Sequence, residues 1–99
     1  MSVGIKKAVI DAVKGMKNLV IRVAEDFAKF DKALADRLKK TLKGTCMDVE
    51  VSTDWIEPYY LGIDIVCKGV AEFYIEVPVV IKPDVDLISE KDVEVFEED

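Results

Sequence analysis

IKKAVIDAVKGMKNLVIRVAEDFAKFDKALADRLKKTL, residues 5–42, is the stretch whose reading decides the fold. Turned at 100° per residue from Ile5, the side chains of Val9, Ala12, Met16, Leu19, Val23, Phe27, Phe30 and Leu34 fall within about 40° of one direction. Lys7, Lys14, Asn18, Glu25, Lys32, Asp36 and Lys43 lie opposite. The stripe advances by about 3.7 residues per step from Ile5 to Leu42, whereas a left-handed coiled coil needs 3.5. The spacing therefore predicts a nearly straight amphipathic helix laid on a core.

The stretch contains no proline, so the favoured reading is one long N-terminal helix. Two places allow a kink or a split: Gly15 with Asn18, and Phe30-Asp31, where Asp31 would cap a second helix. Unbroken, the helix would be about 60 Å long against about 35 Å for the strands that follow. About half of it would overhang its sheet and need a partner. A thinner seam of Val3, Ile10, Ile21 and Ala28 lies roughly 140–160° from Ile5, outside the main stripe; it reads either as ordinary surface hydrophobes or, as the interface hypothesis takes it, as a contact with another chain.

Lys43-Gly44 ends the helical region, with cations in the last turn and a glycine able to take the left-handed cap. Alternation then predicts three strands. Met47, Val49, Val51 and Trp55 form the inner face of the first, and Tyr59, Leu61, Ile63, Ile65 and Cys67 that of the second. Ala71, Phe73, Ile75, Val77, Val79 and Ile81 face inward on the third, with Pro78 marking an edge or strand end. Glu57-Pro58 and Lys68-Gly69 supply the turns. Val85–Ile88 and Val93–Phe96 are candidates for further short strands.

The predicted fold is thus α+β, with the long helix, kinked or split, packed on an antiparallel meander of three to four strands. It is read as a single domain over 1–99, with a helical region (1–44), a β region (45–88) and an acidic C-terminal tail (89–99). The outer sheet face carries Asp48, Glu50, Asp54, Asp64, Glu72 and Glu76, yet also Tyr60, Val66, Val70, Tyr74 and Val80. That is more apolar than a fully solvated face needs, so partial cover by a neighbour or by the C-terminal segment is expected, and Tyr60 and Tyr74 join the predicted oligomer interface.

Composition narrows the function by exclusion. With 51% hydrophobic and 34% charged residues, the 99-residue chain is a folded globular domain. No uncharged run is long enough to span a membrane, and a cytoplasmic location is expected. Scarce amides and many charges give a thermophile-like composition. Residues 1–44 carry 11 Lys and Arg against 5 Asp and Glu, and residues 45–99 carry 3 against 15, nets of +6 and −12 within the overall −6. Either the halves neutralise each other or they favour head-to-tail association.

No motif specifies a chemistry. The chain lacks histidine, the commonest acid–base group, and its five glycines form neither a dinucleotide fingerprint nor a phosphate loop. No catalytic, cofactor-binding or metal-binding residue is assigned. Cys46 and Cys67 lack zinc-site spacing, and strand parity puts Cys46 outside and Cys67 inside, so both are predicted to be free thiols. Glu50 and Asp64, or Asp64 and other carboxylates of the outer face, are read as neighbours across strands, a pairing able to shift one pKa, but no calcium-loop spacing marks a hard-cation site. The basic helix residues are not interleaved with aromatics, which disfavours nucleic acid. The expectation is a non-enzymatic structural or interaction protein working as a self-associating homo-oligomer. The alternative is a small apolar-ligand or lipid-binding module, using a cavity between helix and sheet.

Overall fold

Among the described residues, the stretch that opens the chain folds as two helices, α1 (Ser2–Lys14) and α2 (Phe27–Thr41). The computed structural model describes residues 2–16, 27–56, 60–78 and 84–97, with the side chains of Ser2, Val3, Ile56 and Tyr60 left aside. α1 ends at Gly15, one of the two foreseen breaks. The Gly15 N–H still bonds to the Asp11 carbonyl at 2.9 Å, but Met16 bonds back only three residues, to Val13 at 3.0 Å. That tightened turn, at a residue costing about 1 kcal/mol in a helix interior, closes the first segment. The expectation of one long helix is therefore corrected. The longest dimension of the fold is 37 Å, well short of an unbroken rod. The overhang argued from that rod goes with it.

Both helices keep the apolar stripe. Ile5, Val9, Ala12 and Met16 of the first segment and Phe30, Leu34, Leu38 and Leu42 of the second are buried. α1 packs against α2 on one side and against the C-terminal end of the chain on another, so its buried face is wider than the stripe. Val13 and Ile10 fill the extra width, with Ile10 8% exposed. Ile10 is thus core in the lone chain, not a surface seam.

The second helix ends where foreseen. Gly44 takes φ +85°, and the N–H groups of Thr45 and Cys46 bond to the Leu42 carbonyl at 2.9 and 3.3 Å. Asp31, the other candidate break, instead lies inside α2. Phe27 meets Trp55 edge to face with centroids 6.5 Å apart, Asp31 meets Thr53, and Lys39 pairs with Asp48 at 3.4 Å. Rising helix numbers meet falling strand numbers, so α2 runs antiparallel to the first strand.

Four strands among the described residues form one antiparallel meander: β1 (Val49–Ile56), β2 (Tyr60–Cys67), β3 (Ala71–Pro78) and β4 (Val93–Glu97). The register sets Val51 beside Ile65, Phe73 and Val95, and Thr53 beside Ile63, Ile75 and Val93, all facing the helices. β4 lies within what was read as an acidic tail. Its Val93-Glu94-Val95 alternation lets the valines extend the core while Glu94 stays exposed. Val85–Leu87, a candidate strand, is a 3-10 turn. Asp84 starts it by accepting from the Asp86 N–H at 3.0 Å, and Val85 and Ile88 plug the sheet beside β3.

Cys46 and Cys67 are bonded to each other, with Cα atoms 5.0 Å apart, so the expectation of free thiols is also corrected. The parity argument failed because β1 begins only at Val49. Residues 45–48 turn and bend, and alternation counted backwards through them means nothing. The same bend leaves Met47 86% exposed rather than in the core. Val49 sits opposite Cys67, which brings the end of the α2–β1 connection beside the end of β2.

Candidate functional site

Both described helices cover one face of the sheet, and neither covers the other, open face. Its residues are those that alternate with the core positions: Glu50, Ser52 and Asp54 on β1, Asp64 and Val66 on β2, Glu72, Tyr74 and Glu76 on β3, Glu94 and Phe96 on β4. The four strands carry seven carboxylates and no lysine or arginine. Six of the seven point to the open face by register, the exception being Glu97, opposite Ala71.

One rung runs Ser52, Asp64, Tyr74, Glu94, and the next places Gly62 between Asp54 and Glu76. Because Gly62 has no side chain, the middle of the face sinks there. The result is a cleft of 320 Å³ lined by Asp54, Asp64, Glu72, Tyr74, Glu94 and Phe96 together with Ser52 and Gly62. Asp64 is its most perturbed group. Burial, then a hydrogen bond and repulsion from Glu72, push its carboxyl up to about 6. A hydrogen bond between two carboxyls requires one of them to keep a proton. Asp64 Oδ1 is buried and accepts no hydrogen bond. Tyr74 is likewise raised, first by burial and then by Glu76, Glu94, Asp64 and Asp54. Negative charge is crowded in the cleft, and among the described residues no lysine or arginine lines it.

Glu50 and Asp64 are not the neighbours expected. Glu50 stands opposite Val66 and is answered by Lys68 at 3.3 Å, while Asp64 stands between Ser52 and Tyr74. Among the described residues no three Asp, Glu or Cys side chains are grouped to hold a metal ion.

On the far side of the molecule the exposed groups are mostly cationic. α1 and α2 hold eight Lys and Arg against three Asp. Lys7, Lys32, Arg37 and Lys40 are exposed. Between the helices runs a second cleft, of 300 Å³, lined by Ala8, Asp11, Ala12, Arg37 and Thr41. A side chain on Gly15 would collide with the Arg37 guanidinium, so the glycine that ends α1 also lets Arg37 lie across it.

The residues predicted as an interface are scattered. Ile10 is in the core and Ala28 is exposed on the first turn of α2. Tyr74 is half-buried in the open-face cleft. Tyr60 holds an outer-face register position opposite Ile56 and Pro78, and the side chains of Val3 and Tyr60 and all of Ile21 lie outside the described residues. Sequence reasoning missed Glu94 and Phe96 as members of the open face. The signal was present, since alternation from Val93 gives both the same parity.

No helix among the described residues is long and apolar enough to cross a membrane. No family model matches the chain, and comparison with curated proteins and with solved structures finds no match.

Proposed function

We propose that the chain is a non-enzymatic interaction protein that works as a self-associating homo-oligomer. The observation that carries this reading is the open sheet face. Val66 and Tyr74 are half-buried there and Phe96 is 54% exposed, on a face that neither described helix covers. Single exposed apolar groups are ordinary, but these share one side of a four-stranded sheet, and a neighbour would remove them from water together. The alternative, an apolar-ligand module, gains nothing from the two clefts, because charged side chains line both.

A cytoplasmic location belongs to the same proposal. A disulfide between Cys46 and Cys67 fits a cytoplasm only where thiols are not kept reduced, as in hyperthermophiles. The amide-poor, charge-rich composition agrees with such a source. The test is molar mass in solution by sedimentation across the micromolar range. A rise above 11.1 kDa with concentration is expected. A constant monomer mass at all concentrations and salts would refute the reading.

A further inference from the structure

We infer that the copies associate head to tail, the acidic open sheet face of one receiving the basic helical face of the next; this rests on the self-association proposed above. The two faces are opposite sides of a two-layer fold whose smallest dimension is 19 Å. That is about two Debye lengths at physiological salt, so the two faces scarcely feel each other and each presents its own field. The overall −6 conceals a strongly two-faced molecule.

The sheet side offers a fixed anionic cleft, with Asp64 Oδ1 buried, unbonded and surrounded by Asp54, Glu72 and Glu94. A lysine or arginine entering it would supply the missing donor and relieve the carboxylate crowding. The helix side offers such groups as exposed side chains of α2. Lys32 and Lys40 are two turns apart on the side of α2 away from Phe30, Leu34 and Leu38, and Arg37 flanks them toward α1. A sheet-to-sheet contact between two copies would instead place six carboxylates against six. Complementarity therefore selects the heterologous arrangement over the two-fold one. Such a contact does not close on itself at two subunits, so it builds rings or open stacks.

Three chains test this by sedimentation and native mass spectrometry at low and high salt, with circular dichroism confirming the fold of each. They are the wild type, a sheet-face variant (Glu72→Gln with Glu94→Gln) and a helix-face variant (Lys32→Gln with Lys40→Gln). The wild type should grow beyond a dimer with concentration and dissociate as salt rises. Each variant alone should associate about tenfold or more weakly. An equimolar mixture should stop at one-to-one pairs, because only the helix-face variant keeps an intact acidic face and only the sheet-face variant an intact basic one. If the wild type associates but the sheet-face variant associates as well or better, the contact is not head to tail and this inference falls while self-association stands. If the mixture behaves like the separate variants, it falls likewise. A wild type that stays monomeric overturns both readings. A monomer that binds a lysine-rich peptide at low salt would overturn them too, and would assign the acidic face to a basic partner of another kind.

Discussion

Breaking the Cys46–Cys67 bridge should loosen the protein by an amount that its position in the chain determines. The two cysteines are 21 residues apart. In the loop-entropy account a closed loop of that size removes about 11 cal/mol/K from the unfolded chain, or about 3 kcal/mol at room temperature. For a domain of about 100 residues, each kcal/mol moves Tm by about 4–8 °C, so reduction should lower Tm by about 12–24 °C. The assay is thermal unfolding by circular dichroism with and without reductant, set beside Cys46→Ala and Cys67→Ala. Cys46 is half-buried and Cys67 fully buried. Cys46→Ala should therefore resemble the reduced wild type, whereas Cys67→Ala should lose a further increment of about 1 kcal/mol for the cavity it leaves. Thiol titration of the oxidised protein in denaturant is the direct control. Two reactive thiols there, or a Tm that reductant leaves unchanged, would refute the pairing and the reasoning built on it.

Asp64 gives a pH dependence whose sign is set by its raised pKa. The folded chain holds that proton up to about 6 against an ordinary 3.8, so the group's contribution to stability is complete below about pH 4 and is lost as pH rises through about 6. Solvent screening around this partly exposed pair limits the loss to about 1–2 kcal/mol. Asp64→Asn should therefore be more stable than wild type at neutral pH, with the difference vanishing near pH 4; equal urea midpoints at both pH values would contradict it. Thr53 is buried and donates its hydroxyl to Asp31 across the α2–β1 contact. Thr53→Val should cost about 1–3 kcal/mol in urea unfolding, and adding Asp31→Leu should restore some of that loss. Strictly additive losses would show that the two side chains do not act as a pair.

What was legible in the sequence was what repetition within a segment carries. The apolar stripe named the buried sides of both helices, and alternation named the inner faces of β2 from Leu61 to Cys67 and of β3 from Ala71 to Val77, while Tyr59, Val79 and Ile81 lie outside the described residues. What was not legible depended on where distant segments meet. Asp31 looked like a break because it falls beside the apolar stripe, and nothing nearby says that Thr53, 22 residues on, will satisfy it. Burial holds the Asp31 carboxyl above its usual value even so, and the Thr53 bonds only partly offset that cost. Cys46 looked unreachable from Cys67 because parity was carried through a bend that resets it. Ile10 looked like surface because the stripe was measured against one neighbour, the sheet, when α1 has two. For Asp31 and Ile10 the local rule held and a long-range contact overrode it, whereas for Cys46 the rule was carried past the start of its strand.

The charge split between the halves is the one long-range feature that sequence order did transmit, and the reason is architectural. In an α+β chain the helices come from one contiguous half and the strands from the other, so a difference along the sequence becomes a difference across the layers. In an alternating β–α chain the same composition would be shuffled through the molecule and would cancel. Here it is sorted further. Strand alternation reserves the inner positions for Ile63, Ile75, Phe73 and their neighbours, which leaves six of the seven β-sheet carboxylates on outer positions, Glu97 at the end of β4 being the exception. Helix periodicity likewise turns Lys32 and Lys40 away from Leu34 and Leu38. Two periodicities, each serving only to bury a core, thus drive opposite charges to opposite outer surfaces. The polarity that would order a head-to-tail stack is then a by-product of the same hydrophobic sorting that folds the single chain.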